Sequence, residues 1–420
     1  MALEQLEFGM DPPSGDIRQN SRTNVRLVHS DTYDPESSNL IRWRISGNSW
    51  VDMESIAMYA TVTYNGTSNT TTTDAARCFK PSTGHLVDSI RWISGGGTVI
   101  EHSQDVATRY ELLSRADGDK MYLDSTLNIS AGGHSVPGSR PDLKATPKKL
   151  RIAALDVSAF VHCSKFIHLS SFEGSLELEM VLNSNARVFS TRGAATAFYQ
   201  LTQCELRFDT LEVSDEYQSQ IFNKTFSEGF SLPLLTYTVA TSLTSGLSNV
   251  TLPLNKVLGD ARSCNSVVRA SSQFTNANQD FLSFQGCTAL EYNYLIGSKR
   301  YPAFPVNSLS MCYQEFLKST KNHKNSAHSP VIDTESWNLD QDSATALHAT
   351  DIDNDNIGHT SYPIELELSD GPHSGTPMTS SDMLELNLTS TLGAGPFTVT
   401  TFIDHIREVA ISQMGIVVRD

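Results

Sequence analysis

Two pairs of glutamates are the side chains in this sequence best suited to acid–base chemistry. Glu177 and Glu179 alternate with apolar residues in one run, and Glu365 and Glu367 do so in another. Paired carboxylates hydrolyse glycosides only when they converge across a cleft. Residues two positions apart on a strand point to the same face, commonly toward solvent. The spacing therefore favours surface carboxylates, and we predict no catalytic residue.

One acidic segment is similar to the opening of a calcium-binding loop. Asp351, Asp353 and Asp355 alternate with Ile and Asn. An EF-hand loop requires Gly at its sixth position and Glu at its twelfth, where this chain has Asn356 and Tyr362. The ligand set is incomplete, so a solvated acidic loop is favoured over a weak cation site.

The remaining residues that bind metals or act as nucleophiles form no recognised motif. The twelve histidines include no HxH or HExxH pair, the six cysteines include no CxxC pair, and GxSxG is absent. We predict no metal, no cofactor and buried, reduced thiols, because free cysteines are among the most buried residues. The cysteines are Cys78, Cys163, Cys204, Cys264, Cys287 and Cys312.

Positive charge is concentrated in one short region, whereas the chain as a whole is acidic. The cluster consists of Lys144, Lys148, Lys149 and Arg151, and the net charge is −16. Broad contact with nucleic-acid phosphates needs clustered Lys and Arg, so this charge argues against it. The cluster is interpreted as a solvated loop end, with a phosphate or inner-membrane contact as the alternative.

Two alternating runs near the middle of the chain organise the elements around these residues. Leu176–Leu182 and Tyr199–Val213 alternate apolar and polar side chains, which indicates half-buried strands. The polar connector 184–195 lies close to the midpoint of the 420 residues. Arg151–Cys163 is also predicted as a strand. The predicted organisation is an N-terminal arm (1–30), a first domain (31–190) and a second domain (191–420).

A weak internal repeat indicates that the two halves are copies of one unit. GGGTVIEHSQDVATRYELLSRA (95–116) and GSKRYPAFPVNSLSMCYQEFLKST (297–320) each contain an apolar strand, a turn and a helix. Each half also contains a Leu-x-Leu strand, LELEM (176–180) and LELNL (384–388). The offset between the copies is close to half the chain, which predicts an all-β chain of two β-sandwiches.

The N-terminal arm (1–30) is polar and lacks a sustained period. Its small apolar content predicts ordering only within an assembly, with Leu27 and Val28 as anchors. The N-terminus has no basic n-region and no apolar h-region, so no signal peptide is predicted. No segment approaches the roughly 18 apolar residues of a spanning helix.

Several stretches resemble, in order, the double jelly-roll major capsid proteins. This lineage includes adenovirus hexon, tailless phages with an internal membrane, virophages, polinton-like viruses and nucleocytoplasmic large DNA viruses. The similarity extends from about Asn39 onward and is greatest to the polinton-like and virophage branch. The matching stretches are NLIRWRIS (39–46), IAMYATVTY (56–64), LVDSIRWISGGGTVIEHSQDVATRYELL (86–113), SLELEMVLNSNARVF (175–189) and YQLTQCELRFDTLEVSDEY (199–217).

The resemblance implies two tandem eight-stranded jelly-roll sandwiches with short helices in the connections. It implies a non-enzymatic protein of the virion capsid, in which three copies form a pseudo-hexagonal capsomer and capsomers tile an icosahedral shell around double-stranded DNA. The implied partners are further copies of the chain, neighbouring capsomers, penton and minor capsid proteins, and an internal membrane or the genome on the inner face. No small-molecule substrate is implied.

Two other classes of β-sandwich protein remain as alternatives. A carbohydrate-binding or adhesin-like protein needs exposed aromatic side chains on loops, for which Trp50 and Trp337 are the tryptophan candidates. A β-sandwich glycoside hydrolase needs carboxylates that converge across a cleft. Sedimentation distinguishes these alternatives, because a capsid protein is expected to run as a trimer or a particle.

Overall fold

A computed structural model of the 420-residue chain describes its strands, its helices and many of the turns between them. The described residues are 21–47, 49–66, 76–78, 82–117, 147–163, 166–191, 197–212, 218–219, 229–254, 256–274, 282, 284, 291–321, 337, 360–367, 375–379, 384–389, 396–412 and 415–420.

The first half folds into a sandwich of two antiparallel sheets. Its strands are β1 (Ser21–His29), β2 (Leu40–Ser46), β3 (Trp50–Gly66), β4 (Ala76–Cys78), β5 (Val87–Ser94), β6 (Val99–Ser103), β7 (Lys148–Arg151), β8 (Phe166–His168), β9 (Ser175–Leu182), β10 (Phe189–Thr191) and β11 (Ala197–Glu212). One sheet has the order β1-β11-β3-β7, with β8 also on β3, and the other has the order β2-β9-β5-β6. β4 pairs with β10 separately.

The second half forms another sandwich of two antiparallel sheets. Its strands are β12 (Phe230–Thr244), β13 (Val250–Leu252), β14 (Leu258–Ala270), β15 (Glu291–Ile296), β16 (Lys299–Val306), β17 (Tyr362–Glu365), β18 (Thr376–Met378), β19 (Leu384–Thr389), β20 (Phe397–Ser412) and β21 (Gly415–Arg419). One sheet has the order β12-β20-β14-β17, with β18 on β14 and β21 on β20. The other has the order β13-β19-β15-β16.

The helices are short and lie in the connections. They are α1 (Val106–Asp117), α2 (Asn185–Val188) and α3 (Leu309–Ser319). Ser308 caps the N-terminus of α3, and its hydroxyl accepts a hydrogen bond from the Met311 N–H at 3.2 Å, as expected of an N-cap serine. The strand predicted over 151–163 is wrong, because the chain forms a 3₁₀ helix over Ala153–Val157.

The two sandwiches repeat one strand order, as the internal repeat predicted. β1, β11, β3 and β7 correspond to β12, β20, β14 and β17, and β2, β9, β5 and β6 correspond to β13, β19, β15 and β16. In each sandwich the hairpin β5–β6 or β15–β16 leads directly into a helix, α1 or α3. This confirms two eight-stranded sandwiches of one topology, to which short extra strands are added.

The predicted boundary at residue 190 is wrong, because β11 belongs to the first sandwich. β11 is hydrogen-bonded between β1 and β3, so that Leu206 lies opposite Leu27 on one side and Met58 on the other. The alternation in β11 identified a strand but not its partners. The first sandwich continues to Glu212, and the second begins with β12 at Phe230.

The predicted N-terminal arm of residues 1–30 is wrong for residues 21–29, which form strand β1. Leu27 packs against the core of the first sandwich, whereas Val28 is 52% exposed. Successive side chains of a strand point to opposite faces, so only one of these two neighbours anchors the strand. Residues 1–20 lie outside the described residues.

The first core is not confined to the first sandwich. It contains residues of the first half such as Trp43 and Phe160, together with Tyr237, Phe402 and Ile411 from the second half. A separate core fills the second sandwich. The halves are therefore joined by a packed apolar interface. Each Å² of apolar surface that this interface removes from water stabilises the folded protein by roughly 25 cal/mol.

A fragment of residues 1–190 is expected not to fold, because it lacks the strand that lies between β1 and β3. A fragment of residues 1–229 retains β11 and is expected to unfold in one cooperative transition. Thermal unfolding followed by far-UV circular dichroism checks both fragments. A cooperative transition of the 1–190 fragment would contradict the assignment of β11.

Candidate interaction surfaces

The first pair of glutamates is held by arginines across neighbouring strands. Glu179 accepts a hydrogen bond from Arg42 and lies 3.4 Å from Arg91, and Glu177 lies 3.9 Å from Arg44. Arg42 and Arg91 flank Glu179 in register on β2 and β5. Cross-strand pairs of opposite charge stabilise a sheet, so these carboxylates form a ladder of charges on one sheet face.

The second pair of glutamates lines a cleft of about 140 Å³ where the sandwiches meet. Glu367 accepts a hydrogen bond from Arg262 at 2.5 Å and another from Lys321 at 3.1 Å. Glu365 and Asp404 line the same cleft. Glu367 is thus engaged by two cations of the fold, and its carboxylate serves these ion pairs.

Two residues of the basic cluster predicted from the sequence are engaged in separate ion pairs, and Lys148 is exposed beside them on β7. Lys149 donates to Glu205 at 2.5 Å. Arg151 makes two hydrogen bonds to Asp156, at 2.7 and 2.6 Å. Lys144 lies outside the described residues. The cluster is therefore not one continuous positive patch, and Lys149 belongs instead to the outer face of a sheet.

That outer face lies on β1, β11, β3 and β7 of the first sandwich and is centred on Glu205. The Glu205 side chain is only 1% exposed and is paired with Arg26, Lys149 and Arg207, which are partly exposed. Burial alone would raise the pKa of Glu205, but hydrogen bonds from Arg207 and Lys149 outweigh it and lower the pKa to about 2. The open sheet face, as we call it, consists of Arg26, Val28, Tyr59, Lys149, Glu205 and Arg207.

The corresponding face of the second sandwich is covered by the first sandwich. Arg109 of α1 donates to Asp404 of β20 at 2.6 Å. Its guanidinium carbon lies 5.3 Å from the ring centre of Tyr237 and 5.9 Å from that of Phe402. We call this contact between β6–α1 and the β12–β20–β14 face the joint.

Two further arginines of the second sandwich find their partners across the joint. Arg269 is fully buried, donates to Thr108 at 2.5 Å and lies 3.8 Å from Asp105. Arg407 donates to the carbonyl of Ile100 at 3.2 Å. A buried charge is costly unless it is paired. Separating the sandwiches would leave Arg269 without these partners, whereas Arg407 would keep Asp420 of its own sandwich. The buried Arg269 therefore favours a joint that holds under folding conditions.

A buried carboxylate positions the strand that enters the joint. Glu101 on β6 is fully buried and accepts hydrogen bonds from the Ser158 hydroxyl at 2.7 Å and the N–H groups of Ala159 and Phe160 at 2.8 and 2.9 Å. Thr236 of β12 donates to the same carboxylate at 3.5 Å. Hydrogen bonds to a charged carboxylate are strong. The three donors therefore hold β6 in place against residues 158–160, directly before the chain enters α1.

The two tryptophans considered for sugar binding are both buried. Trp50 is 2% exposed, and its ring centre lies 4.9 Å from that of His168. Trp337 is 4% exposed, and its ring centre lies 5.2 Å from that of Phe316. Neither ring exposes a face on which a sugar could stack, so Trp50 and Trp337 do not support the hypothesis of a carbohydrate-binding protein.

The predictions on metals and thiols are tested only in part. In the ranges that the structure describes, no three His, Cys, Asp or Glu side chains are grouped as a metal site would require. Asp351–Asp355 lies outside those ranges. The four cysteines whose side chains are described carry buried, reduced thiols, as predicted: Cys163, Cys204, Cys264 and Cys312. Within the same ranges, no helix has the length and apolar character needed to cross a membrane.

His405 is a fully buried titratable group close to the joint. Its Nε2 lies 2.9 Å from the Thr238 hydroxyl. Burial lowers the pKa of His405 from 6.5 to about 4, with Asp420 opposing the shift and Arg407 and Lys256 adding to it. The unfolded chain therefore binds this proton at a higher pH than the folded chain does.

Replacing Arg109 by Leu is expected to destabilise the protein by about 3 kcal/mol, because the mostly buried carboxylate of Asp404, whose side chain is 13% exposed, loses its cation. Asp404→Asn in addition to Arg109→Leu is expected to recover part of this loss. Urea unfolding of the two variants provides the measurement. Arg151→Leu breaks the more exposed pair with Asp156 and serves as the control, with an expected loss below about 1 kcal/mol. Equal losses for Arg109→Leu and Arg151→Leu would contradict the role of the joint.

The free energy of unfolding is expected to fall by roughly 3 kcal/mol as the pH falls from 6.5 to 4, because His405 takes up its proton only on unfolding in this range. His405→Gln removes the titration and is expected to flatten this part of the pH profile. His162→Gln, at an exposed ring, is the control and should leave the slope unchanged. A slope that persists in His405→Gln would assign the effect to other groups.

Comparison with known proteins finds similarity in structure and not in sequence. No protein-family model matches the chain, and no curated protein matches it. The cryo-EM structure of the Sputnik virophage aligns with a TM-score of 0.53 at 13% identity, over 99% of this chain and 91% of the other. The mavirus major capsid protein aligns with a TM-score of 0.51 at 10% identity, over 99% and 96% of the two chains.

The Faustovirus major capsid protein gives a similar result, with a TM-score of 0.51 at 10% identity over 96% of this chain and 93% of the other. These alignments include both sandwiches and their order along the chain. At such low identity they establish the fold. The chain therefore has the double jelly-roll fold of these viral major capsid proteins.

Proposed function

We propose that this chain is a major capsid protein that self-associates to form the shell of a virus. One observation carries the proposal: both sandwiches, over nearly the whole chain, align with the whole length of major capsid proteins such as that of mavirus. A shared single sandwich would be weak support, because sandwich folds host many functions. Two sandwiches in one order along the chain are a far more specific combination.

In the proposed capsomer, three copies of the chain form a pseudo-hexagonal trimer that presents six sandwiches. Trimers tile an icosahedral shell around a double-stranded DNA genome, and the protein resides in the virion capsid. The chemistry is association, and the protein has no enzymatic role and needs no metal or cofactor. The ionic pairing of Glu177, Glu179 and Glu367 supports this, because these carboxylates stabilise the fold.

The proposed partners follow from this position in a shell. Neighbouring capsomers, penton proteins and minor capsid proteins contact the outer sides of the trimer, and the genome or an internal membrane faces its inner side. The net charge of −16 suits a shell that does not bind DNA phosphates over a broad surface. We propose residues 1–20 as the remaining arm, 21–212 as the first jelly roll and 230–420 as the second.

The purified chain is expected to sediment as a trimer, at three times the 46.1 kDa of the chain, because obligate subunit interfaces bury on the order of 2,000 Å² or more. Electron microscopy of the same sample at high protein concentration should show hexagonal capsomers or closed particles. A protein that stays a 46.1 kDa monomer at every concentration and forms no particle would refute the proposal.

A further inference from the structure

β2 is an edge strand that carries two exposed arginines. It is the terminal strand of the sheet β2-β9-β5-β6, and its outer edge pairs with no strand in the described part of the chain. The side chains of Arg42 and Arg44 are 56% and 64% exposed, whereas those of their partners Glu179 and Glu177 are 10% and 28% exposed. The edge therefore presents more guanidinium than carboxylate surface to solvent.

The counterpart of β2 in the second sandwich has a different edge. β13 has three residues against seven in β2, and its one exposed residue is Thr251. Natural edge strands are commonly short or charged, because an open edge invites pairing with other chains. Arginines on β2 repel a second positive strand, but an acidic strand would find opposite charges across the edge. The two sandwiches therefore differ at this edge in a way that selects an acidic partner.

Both guanidinium groups have donors that no described residue uses. Arg44 donates from Nε to the Ser175 hydroxyl at 3.2 Å and lies 3.9 Å from Glu177, and Arg42 donates from one terminal nitrogen to Glu179. A guanidinium has five N–H donors. The two arginines are two residues apart on one strand, which spaces them by about 7 Å along the edge. A matching strand therefore needs carboxylates at alternate positions.

The acidic segment 351–355 of this chain has that pattern. Asp351, Asp353 and Asp355 alternate with uncharged residues, and in an extended chain alternate side chains share one face at the same spacing of about 7 Å. No lysine or arginine lies between Lys324 and Arg407, so no neighbouring cation in the sequence neutralises these aspartates. The segment itself lies outside the described residues.

The place of the segment in the chain favours a second copy as its source. It ends five residues before Thr360, which is buried and donates to the carbonyl of Trp337 in the core of the second sandwich. An extended chain spans about 3.3 Å per residue, so the segment can extend up to roughly 30 Å from this anchor. β2 is the strand of its sheet farthest from β6, which enters the joint. Its free edge therefore points away from the second sandwich of its own chain.

We propose that the free edge of β2 binds the segment 351–355 of a second copy as an added strand, with aspartates opposite Arg42 and Arg44. Main-chain hydrogen bonds provide affinity in complexes formed by strand addition, and the alternating charges set the register. The inference rests on the proposed function, because it requires self-association. It assigns a contact that lies outside both the joint and the open sheet face, and that connects one trimer to the next.

Binding of a peptide tests the edge directly. A fluorescent peptide of residues 349–358 is titrated into full-length protein in which the three aspartates of the segment are replaced by asparagine, so that the protein's own segment does not compete. Fluorescence anisotropy is expected to show saturable binding, and hydrogen exchange of the β2 amides is expected to slow. Arg42→Glu together with Arg44→Glu is expected to weaken binding about tenfold or more.

Arg91→Glu is the matched control for this titration. Arg91 lies on the same sheet face and also contacts Glu179, but its strand β5 is two strands away from the edge. The substitution is expected to weaken binding less than threefold. A peptide that does not bind, or an equal loss of binding with Arg91→Glu, would overturn the inference.

Exchange of charge between two variants tests whether the partner is a second copy. The edge variant carries Arg42→Glu and Arg44→Glu, and the segment variant carries lysine in place of the three aspartates. Each variant alone is expected to sediment as a trimer but to lose association between trimers, and an equal mixture is expected to recover it. The segment variant leaves every described residue unchanged, so its loss of association would not reflect an altered sandwich.

The same experiment separates the possible failures. Recovery when both sets of substitutions are placed in one chain, but not in the mixture, would indicate a contact within the chain and overturn the inference. Trimers that associate equally well in every variant would overturn it too, and would leave the proposed function standing. A wild-type protein that never self-associates would overturn both.

Discussion

One strand is buried on both of its faces, and the arrangement of the whole chain depends on it. The first seven residues of β20, Phe397–Ile403, are all buried. Val399 and Ile403 belong to the core of the second sandwich, whereas Phe402 belongs to the core that includes the first. A strand with protein on both sides loses the alternation of a half-exposed strand. Because β20 is hydrogen-bonded along its length to β12 and β14, whatever covers its outer face is fixed relative to the entire sheet.

The sequence predicted the elements of the fold better than their partners. Alternation in NLIRWRIS and the repeated hairpin-and-helix pattern identified β2, α1 and α3, because these signals are local. The sheet in which β11 pairs is decided by contacts between residues far apart in the sequence. Leu206 pairs with Leu27 and Met58, and the alternation within β11 does not indicate these partners. In Greek-key topology a late strand returns to pair beside the first strand. The boundary between the two domains can therefore be placed only when the strand topology is known, and the alternation of β11 does not reveal it.

The joint was not predicted, and the reason is again the separation along the chain. Arg109 and Asp404 are 295 residues apart, and each alone is an ordinary charged residue on an amphipathic element. A signal was nevertheless present in FTVTTFI (397–403), which is rich in β-branched and aromatic residues and in which the alternation of apolar residues with threonine ends at Thr401. Such a run indicates a strand covered on both faces, and its second cover is the first sandwich.

Duplication of one sandwich does not make the two sandwiches equal. The acidic position shared by β11 and β20 is completed within the sandwich at Glu205, by Arg26, Lys149 and Arg207, but across the joint at Asp404, by Arg109. The same topology therefore presents one face that is charged and open and another that is aromatic and covered. If the outer faces of the β1–β11–β3 and β12–β20–β14 sheets were identical, either face could take the place of the other in the joint. Because the faces differ, the two sandwiches are not interchangeable in the joint, and Arg109 of the first sandwich lies against the aromatic face of the second.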